Sequence, residues 1–543
     1  MPSLALVSPK PQARESSLTG TRHLFKVTLK QDARNFAPWV VLISLLSVTS
    51  VLAYIWIFPD ASTRAQLSQT LSANPALSLI FGKAGDISTT EGFNTWRSLA
   101  LGGFFASLMT IFIVVRYTRA DEDSGQAELF ASGVMGRHTR LATALGVAAA
   151  ASVALGVVSF LLTIAFGAAP LATALLCATF TAHGLMFAGV GAVCAQIAAD
   201  ARTAHTLAVA FAGATFLLRG YLDASSASPW TTWLTPQGWL QEVAPGTTNN
   251  LWPFAAAAGF AVLTAALAFI LQGRRDFGAG LISPAPGPAG VGAGAKVFWL
   301  TWSLHRPSVI AWLVGLTILG TVFGFVSSSF AELFTTDPGF AALLAHGGTS
   351  KDQLFFGLVA TLIQLIAIIA SVSGVQIALR LFTEEAAQRT APLLAGAVNR
   401  QRHIATYIAI ALATSSLALM LAVTALGLVG SALNADLSAV DVIKQGLLTL
   451  PAIWVLVGVA LAVIGAKPAK RMIGWLAIVA TFAITVFGPM FNLWHWILGI
   501  SPLYHVPIIT HGSGLPAGWW VLIALSVALL AVSVAGYRRR DLA

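Results

Sequence analysis

The sequence predicts an all-α polytopic membrane protein in which twelve transmembrane helices form two homologous six-helix bundles. Three observations predict it: an apolar composition, twelve windows long enough to cross a bilayer, and four segments of the first half that recur in the same order in the second.

Of the 543 residues, 57% are hydrophobic and only 10% charged, with a mean hydropathy of +0.79. Soluble domains carry roughly 25% charged residues, so a bilayer is the solvent that this chain satisfies. Crossing about 30 Å of hydrocarbon takes about 20 apolar residues. Such windows fall at 38–57, 97–116, 141–165, 170–199, 204–221 and 252–271, and again at 309–326, 354–379, 404–432, 441–466, 472–490 and 517–537.

The net charge of +10 reflects topology rather than nucleic acid. With both termini placed in the cytoplasm, all but six of the 31 basic residues (Arg64, Lys83, Arg97, Arg219, Lys351 and Lys444) fall in inside segments, as the positive-inside rule requires. Cys177 and Cys194 share the fourth span at about 25 Å along one helix, too far to bridge. No disulfide framework or metal site follows, and no apolar leader precedes residue 38.

Residues 1–21 read as a disordered cytoplasmic tail. In 22–36, Phe25, Leu29, Ala33 and Phe36 form one helical stripe and Lys26, Lys30 and Arg34 another. That pattern predicts an interfacial elbow helix whose cations reach lipid headgroups before the chain turns into the first span. The first six-span repeat is then 22–275, the Gly/Pro/Ala-rich stretch 276–296 a flexible linker, and 297–543 the second repeat. The repeat rests on FKVTLKQDARNFAPW (25–39) against FWLTWSLHRPSVIAW (298–312), SANPALSLIFG against TTDPGFAALLAHGG, LTPQGW against ISPLYH, and the two charged inserts 117–140 and 381–403. An even number of spans per half gives both copies one orientation, with a pseudo-twofold axis along the membrane normal.

Each insert follows the second span of its half. Acids come first (Asp121, Glu122, Asp123, Glu128; later Glu384, Glu385), then a short apolar run, then Arg137 and Arg140 or Arg400 and Arg402. Acid at a helix start and base at its end complement the helix dipole. Each insert is therefore expected to be a short cytoplasmic helix suited to docking on another protein. Arg alone would serve topology, so the repeated carboxylates require a further partner.

The inserts, elbow segments and outer N-P/D-P loops together resemble the membrane subunit of bacterial ABC exporters. The resemblance runs from about residue 22 to 540 and is nearest to the fused twelve-span permeases of polyketide antibiotics, of the tetronasin-resistance type, which are similar to ABC-2-like exporters. It implies that the inserts are coupling helices seated in a separate ATPase. Glu122, Asp123, Glu128 and Arg137 would form one docking element, and Glu384, Glu385, Arg389 and Arg400 the other. No G-x-x-x-x-G-K-[ST] loop occurs, since FGKAG at 81–85 lacks the upstream Gly and the hydroxyl residue. The chain itself is therefore expected to carry no cofactor and no metal. ATP and Mg would be bound by two copies of a partner subunit.

Polar groups at membrane depth are few. His183, Gln364 and Arg219, with the aromatic pairs Phe104–Phe105 and Phe355–Phe356, are the candidates for contact with cargo, beside the bland reading of helix packing. That scarcity suits an apolar or amphipathic cargo, and the resemblance implies that it is moved out of the cytoplasm across the bacterial plasma membrane. The alternative is an ion-coupled drug carrier, which usually needs a buried carboxylate. A membrane enzyme would need an acid/base or metal cluster, and the histidines are scattered.

Overall fold

The computed structural model describes residues 17–57, 75–131, 135–225, 228–276, 278–282, 297–336, 351–396, 398–434, 437–487, 494–509 and 515–540. Among them every regular element is helical. The chain divides into two compact units, Met1–Gly287 and Pro288–Ala543, and the division falls inside the predicted linker.

In the first unit the long helices are α1 (Thr21–Ile57), α3 (Thr90–Val115), α5 (Thr139–Ala165), α6 (Pro170–Ile197), α7 (Ala201–Ala224) and α8 (Trp252–Arg274), with the short α2 (Pro75–Phe81) and α4 (Gln126–Ala131) between them. The second unit holds α9 (Val297–Thr336), α10 (Lys351–Ala386), the short α11 (Thr390–Ala395), α12 (Arg400–Leu433), α13 (Ala439–Ala466), α14 (Met472–Phe487) and α15 (Ala517–Arg539). The order of neighbours is the same in both. α1 packs on α5, α3 on α6, and α6 on α8; likewise α9 packs on α12, α10 on α13, and α13 on α15. Small residues permit these approaches, as bilayer packing favours. A methyl group at Gly103 would stand 2.6 Å from the His183 ring, and one at Gly320 only 2.0 Å from the Ala422 carbonyl.

Eleven helices among the described residues are long and apolar enough to cross a membrane. The remaining expected span, 472–490, is described only as α14, whose 16 residues reach about 24 Å, short of a hydrocarbon core; 488–490 lie outside the described residues.

Three expectations change here. The elbow does not turn: Thr21–Ile57 is one 37-residue helix with Pro38 inside it, and Val297–Thr336 is one of 40 residues containing Pro307. Proline removes one ladder hydrogen bond without ending a helix whose flanks are packed. The predicted stripe holds, because Phe25 and Phe36 pack on the core while Lys26, Lys30 and Arg34 are exposed. Residues 17–20 are ordered rather than part of a loose tail. The Gly136 and His138 amides donate to the Thr19 and Ser17 carbonyls at 3.1 and 2.9 Å, a contact that a Cβ at Gly136 would block. The start of the linker is also fixed: Leu281 and Ile282 donate to the Gln196 and Ile197 carbonyls at the end of α6. Residues 283–296 lie outside the described residues.

Candidate coupling site

The second span does not stop where its hydropathy does. Thr118 Oγ1 donates back to the Val114 carbonyl at 2.6 Å, and the backbone widens into a π-turn over Arg116–Ala120 before one more helical turn, Asp121–Asp123. Side-chain competition for the ladder is a local cause of such a turn. Gly125 (φ +75°) then reverses the chain into α4. Asp121, Glu122 and Asp123 therefore end the second span instead of starting a separate helix, which reverses the expected dipole arrangement for these three. Negative charge at a helix C-terminus is unfavourable by itself. Cations compensate it.

Glu122 is the hub. Its carboxylate accepts from Arg119 at 2.7 Å, from Arg140 at 3.3 Å and from Arg275 at 2.7 Å, and its side chain is 5% exposed. Arg119, fully buried, also donates to the carbonyls of Ala195 (3.2 Å), Ala198 and Ala279 (3.0 Å). The end of α6 and the start of the linker are thus capped by one guanidinium. Arg275 adds Gln196 Oε1 at 2.6 Å and the Ala279 carbonyl at 3.0 Å, and Arg140 adds the Thr118 carbonyl at 2.6 Å. Five parts of the unit meet there: the insert, the start of α5, and the ends of α6, α8 and the linker's first turn.

The other predicted residues of this insert have similar uses. Asp123 accepts from the Ala201 amide at 2.7 Å, at the N-terminus of α7. Beside it Asp200 caps the same helix through the Thr203 amide and hydroxyl at 2.9 and 2.8 Å. Arg137 donates to the carbonyls of Gln272, Gly273 and Arg275, capping α8. Glu128 stands exposed in the first turn of α4.

The second unit repeats this plan with fewer members. Glu385, also buried, pairs with Arg540, the residue that follows the last helix, just as Arg275 follows the last helix of the first unit. Arg400 donates to the Arg540 carbonyl at 3.1 Å, as Arg137 does to that of Arg275. Gln388 (φ 57°) takes the left-handed turn of Gly125. Glu384 meets Arg389 at 3.3 Å and Arg380 at 3.9 Å, and Arg389 is 70% exposed. The exposed charge at the two short helices is unlike: Glu128 on the first, Arg389 on the second.

Sequence reasoning assigned the arginines to topology and missed that Arg119, Arg140, Arg275 and Arg540 satisfy the acids. The signal was available in the repeat, since Arg275 and Arg540 occupy the same place after their sixth windows. The candidates for cargo contact are dispersed. His183 is buried, with Nδ1 against the Thr179 carbonyl at 2.8 Å. Phe104 packs against Phe216 with centroids 4.7 Å apart and the rings tilted by 43°, and Phe105 joins the core that contains Val40 and Met109. Phe355 and Phe356 lie in the second unit's core, and Gln364 is half-buried. Arg219 is buried against Asp223 at 3.3 Å and the carbonyls of Leu79 and Ile80. No group of three or more His, Cys, Asp or Glu side chains placed to hold a metal occurs among the described residues.

A family model described as the C-terminal domain of the multidrug efflux system permease Rv1217c matches residues 295–538, which include the second insert. The chain is 32% identical over 539 residues to the multidrug efflux system permease protein Rv1217c of Mycobacterium tuberculosis, covering 97% of this chain and 96% of that relative. With 32% identity over nearly the full length of both chains, the chain belongs to the Rv1217c family of multidrug efflux permeases.

Proposed function

We propose that this chain is the membrane-spanning permease subunit of an ATP-driven exporter. It moves an apolar or amphipathic compound, of which a polyketide antibiotic is one type, out of the cytoplasm. Both termini and both inserts face the cytoplasm of the bacterial plasma membrane. Two copies of a separate ATPase, which bind ATP and Mg, grip the inserts, and their closure rocks one six-helix unit against the other. The two units form a pseudodimer about an axis along the membrane normal, and the cargo alternates between inward and outward exposure.

The observation that carries this reading is the doubled clasp, Glu122 with Arg275 and Glu385 with Arg540. A short helix transmits force only if it is fixed to what it must move. Each clasp ties an insert to the ends of several spans and leaves a solvent-facing turn for a partner. Glu122 and Glu385 then act inside the permease, and contact with the motor falls to the exposed Glu128 and Arg389.

The test is transport in sealed vesicles with the ATPase encoded beside the permease. Glu128→Lys combined with Arg389→Gln is expected to lower ATP-dependent efflux by at least about tenfold with a nearly unchanged melting temperature, because both side chains are exposed and the Arg389–Glu384 pair is screened by solvent. Purified complexes are expected to hold one permease and two ATPase subunits. Efflux driven by an ion gradient without nucleotide, or untouched by the double substitution, overturns the proposal.

A further inference from the structure

At the end of the first unit opposite its insert, the chain forms a partly open cavity of about 150 Å³. Its walls come from the end of α2, the loop 82–89, the first turns of α3, the end of α7 and the segment 241–247. Two glycines let these parts meet. A Cβ at Gly92 would lie 1.7 Å from the Asp86 carbonyl oxygen, and one at Gly82 (φ +92°) 2.5 Å from Gln241 Nε2.

The apolar wall is aromatic. Phe81 and Trp96 pack with centroids 5.0 Å apart, and Trp96 Nε1 donates to the Gly82 carbonyl at 3.0 Å, which fixes the indole. The charged lining is Lys83 against three acids, Asp86, Asp223 and Glu242. Asp223 is already matched by Arg219 at 3.3 Å. That leaves the carboxylates of Asp86 and Glu242 against one ammonium. Asp86 accepts from the Ser88 hydroxyl and amide at 2.5 and 3.0 Å, and these bonds hold its carboxyl below the usual range. Ala244 and Pro245 complete the lining, with the Pro245 carbonyl held by the Thr95 hydroxyl at 3.1 Å.

An indole beside carboxylates attracts a cation with apolar substituents, through the ring quadrupole and the acids together. Pockets for whole drug-sized molecules run from about 300 Å³ upward, so this one accommodates a head and not a body. We propose that the cavity binds an organic ammonium group, supplied either by a soluble cationic amphiphile or by a lipid headgroup. The clasped inserts play no part in this inference.

The probe is choline, titrated against the full-length permease in phosphatidylglycerol nanodiscs without nucleotide or ATPase, with the uncharged isostere 3,3-dimethylbutan-1-ol as its control. Choline is expected to bind at least about tenfold more tightly than the alcohol. Glu242→Gln is expected to weaken choline up to about fivefold and Lys83→Gln to strengthen it by a similar factor. Both side chains are exposed, and opposite signs do not arise from misfolding. Repeating the titration in phosphatidylcholine nanodiscs separates the sources: a weaker apparent affinity assigns the site to lipid headgroups, and an unchanged one to soluble cations. Equal binding of choline and alcohol, or no change in both variants, overturns the proposal while leaving ATP-driven export untouched.

Discussion

Replacing Glu122 by Gln removes one negative charge and almost no volume, so charge is the only variable. The carboxylate stands between three guanidiniums, of which Arg119 is fully buried, Arg275 nearly so, and Arg140 only slightly open. Without it, three cations face one another where little water reaches them. Removing one partner of a buried ion pair costs about 3–5 kcal/mol. The lower figure applies, because Arg119 and Arg275 keep the carbonyl of Ala279 and other acceptors. A local loss of about 3 kcal/mol raises opening of the insert by roughly a hundredfold. Amide exchange over 117–131 in the purified variant is therefore expected to accelerate by about that factor, with α12 and α13 in the other unit unchanged. Glu385→Gln is the internal comparison. Glu385 pairs with a single guanidinium, Arg540, which also lies over the Tyr537 ring at 5.1 Å, so about 1–3 kcal/mol is expected there. Exchange over 117–131 within about twofold of the parent, or a larger effect from Glu385→Gln than from Glu122→Gln, refutes the assignment of Glu122 as hub.

Two further outcomes concern backbone geometry. Gly92→Ala drives a methyl group into the Asp86 carbonyl, and a loss of about 1–3 kcal/mol is expected in thermal unfolding; an unchanged midpoint would mean that the loop 82–89 moves freely off α3. Gln388→Gly is expected to stabilise the second insert by about 0.5–1 kcal/mol, the relief of a left-handed non-glycine residue less the added freedom of the unfolded chain. Faster proteolysis at that insert would contradict it.

Much of the molecule was legible because the bilayer makes one demand repeatedly. A window of about 20 apolar residues has few alternatives to a helix, and eleven of the twelve predicted windows lie in helices that meet the membrane criterion. The stripe of Phe25 and Phe36 against Lys26 and Lys30 was equally readable, since helical period sorts apolar from charged side chains. The join to the first span was not: a turn was expected after the elbow, but one helix runs from Thr21 through Pro38 to Ile57.

The sequence by itself determined the class of protein, the places of its spans and the two charged inserts, because hydropathy and repetition are properties of residues in order. Only the tertiary structure decided what the charges do. Glu122 and Arg275 are separated by most of the first repeat and meet at 2.7 Å, a pairing that no local pattern encodes. Three-dimensional packing brings the ends of nonadjacent helices together, and their unsatisfied carbonyls and opposite charges select which acids turn inward and which remain at the surface.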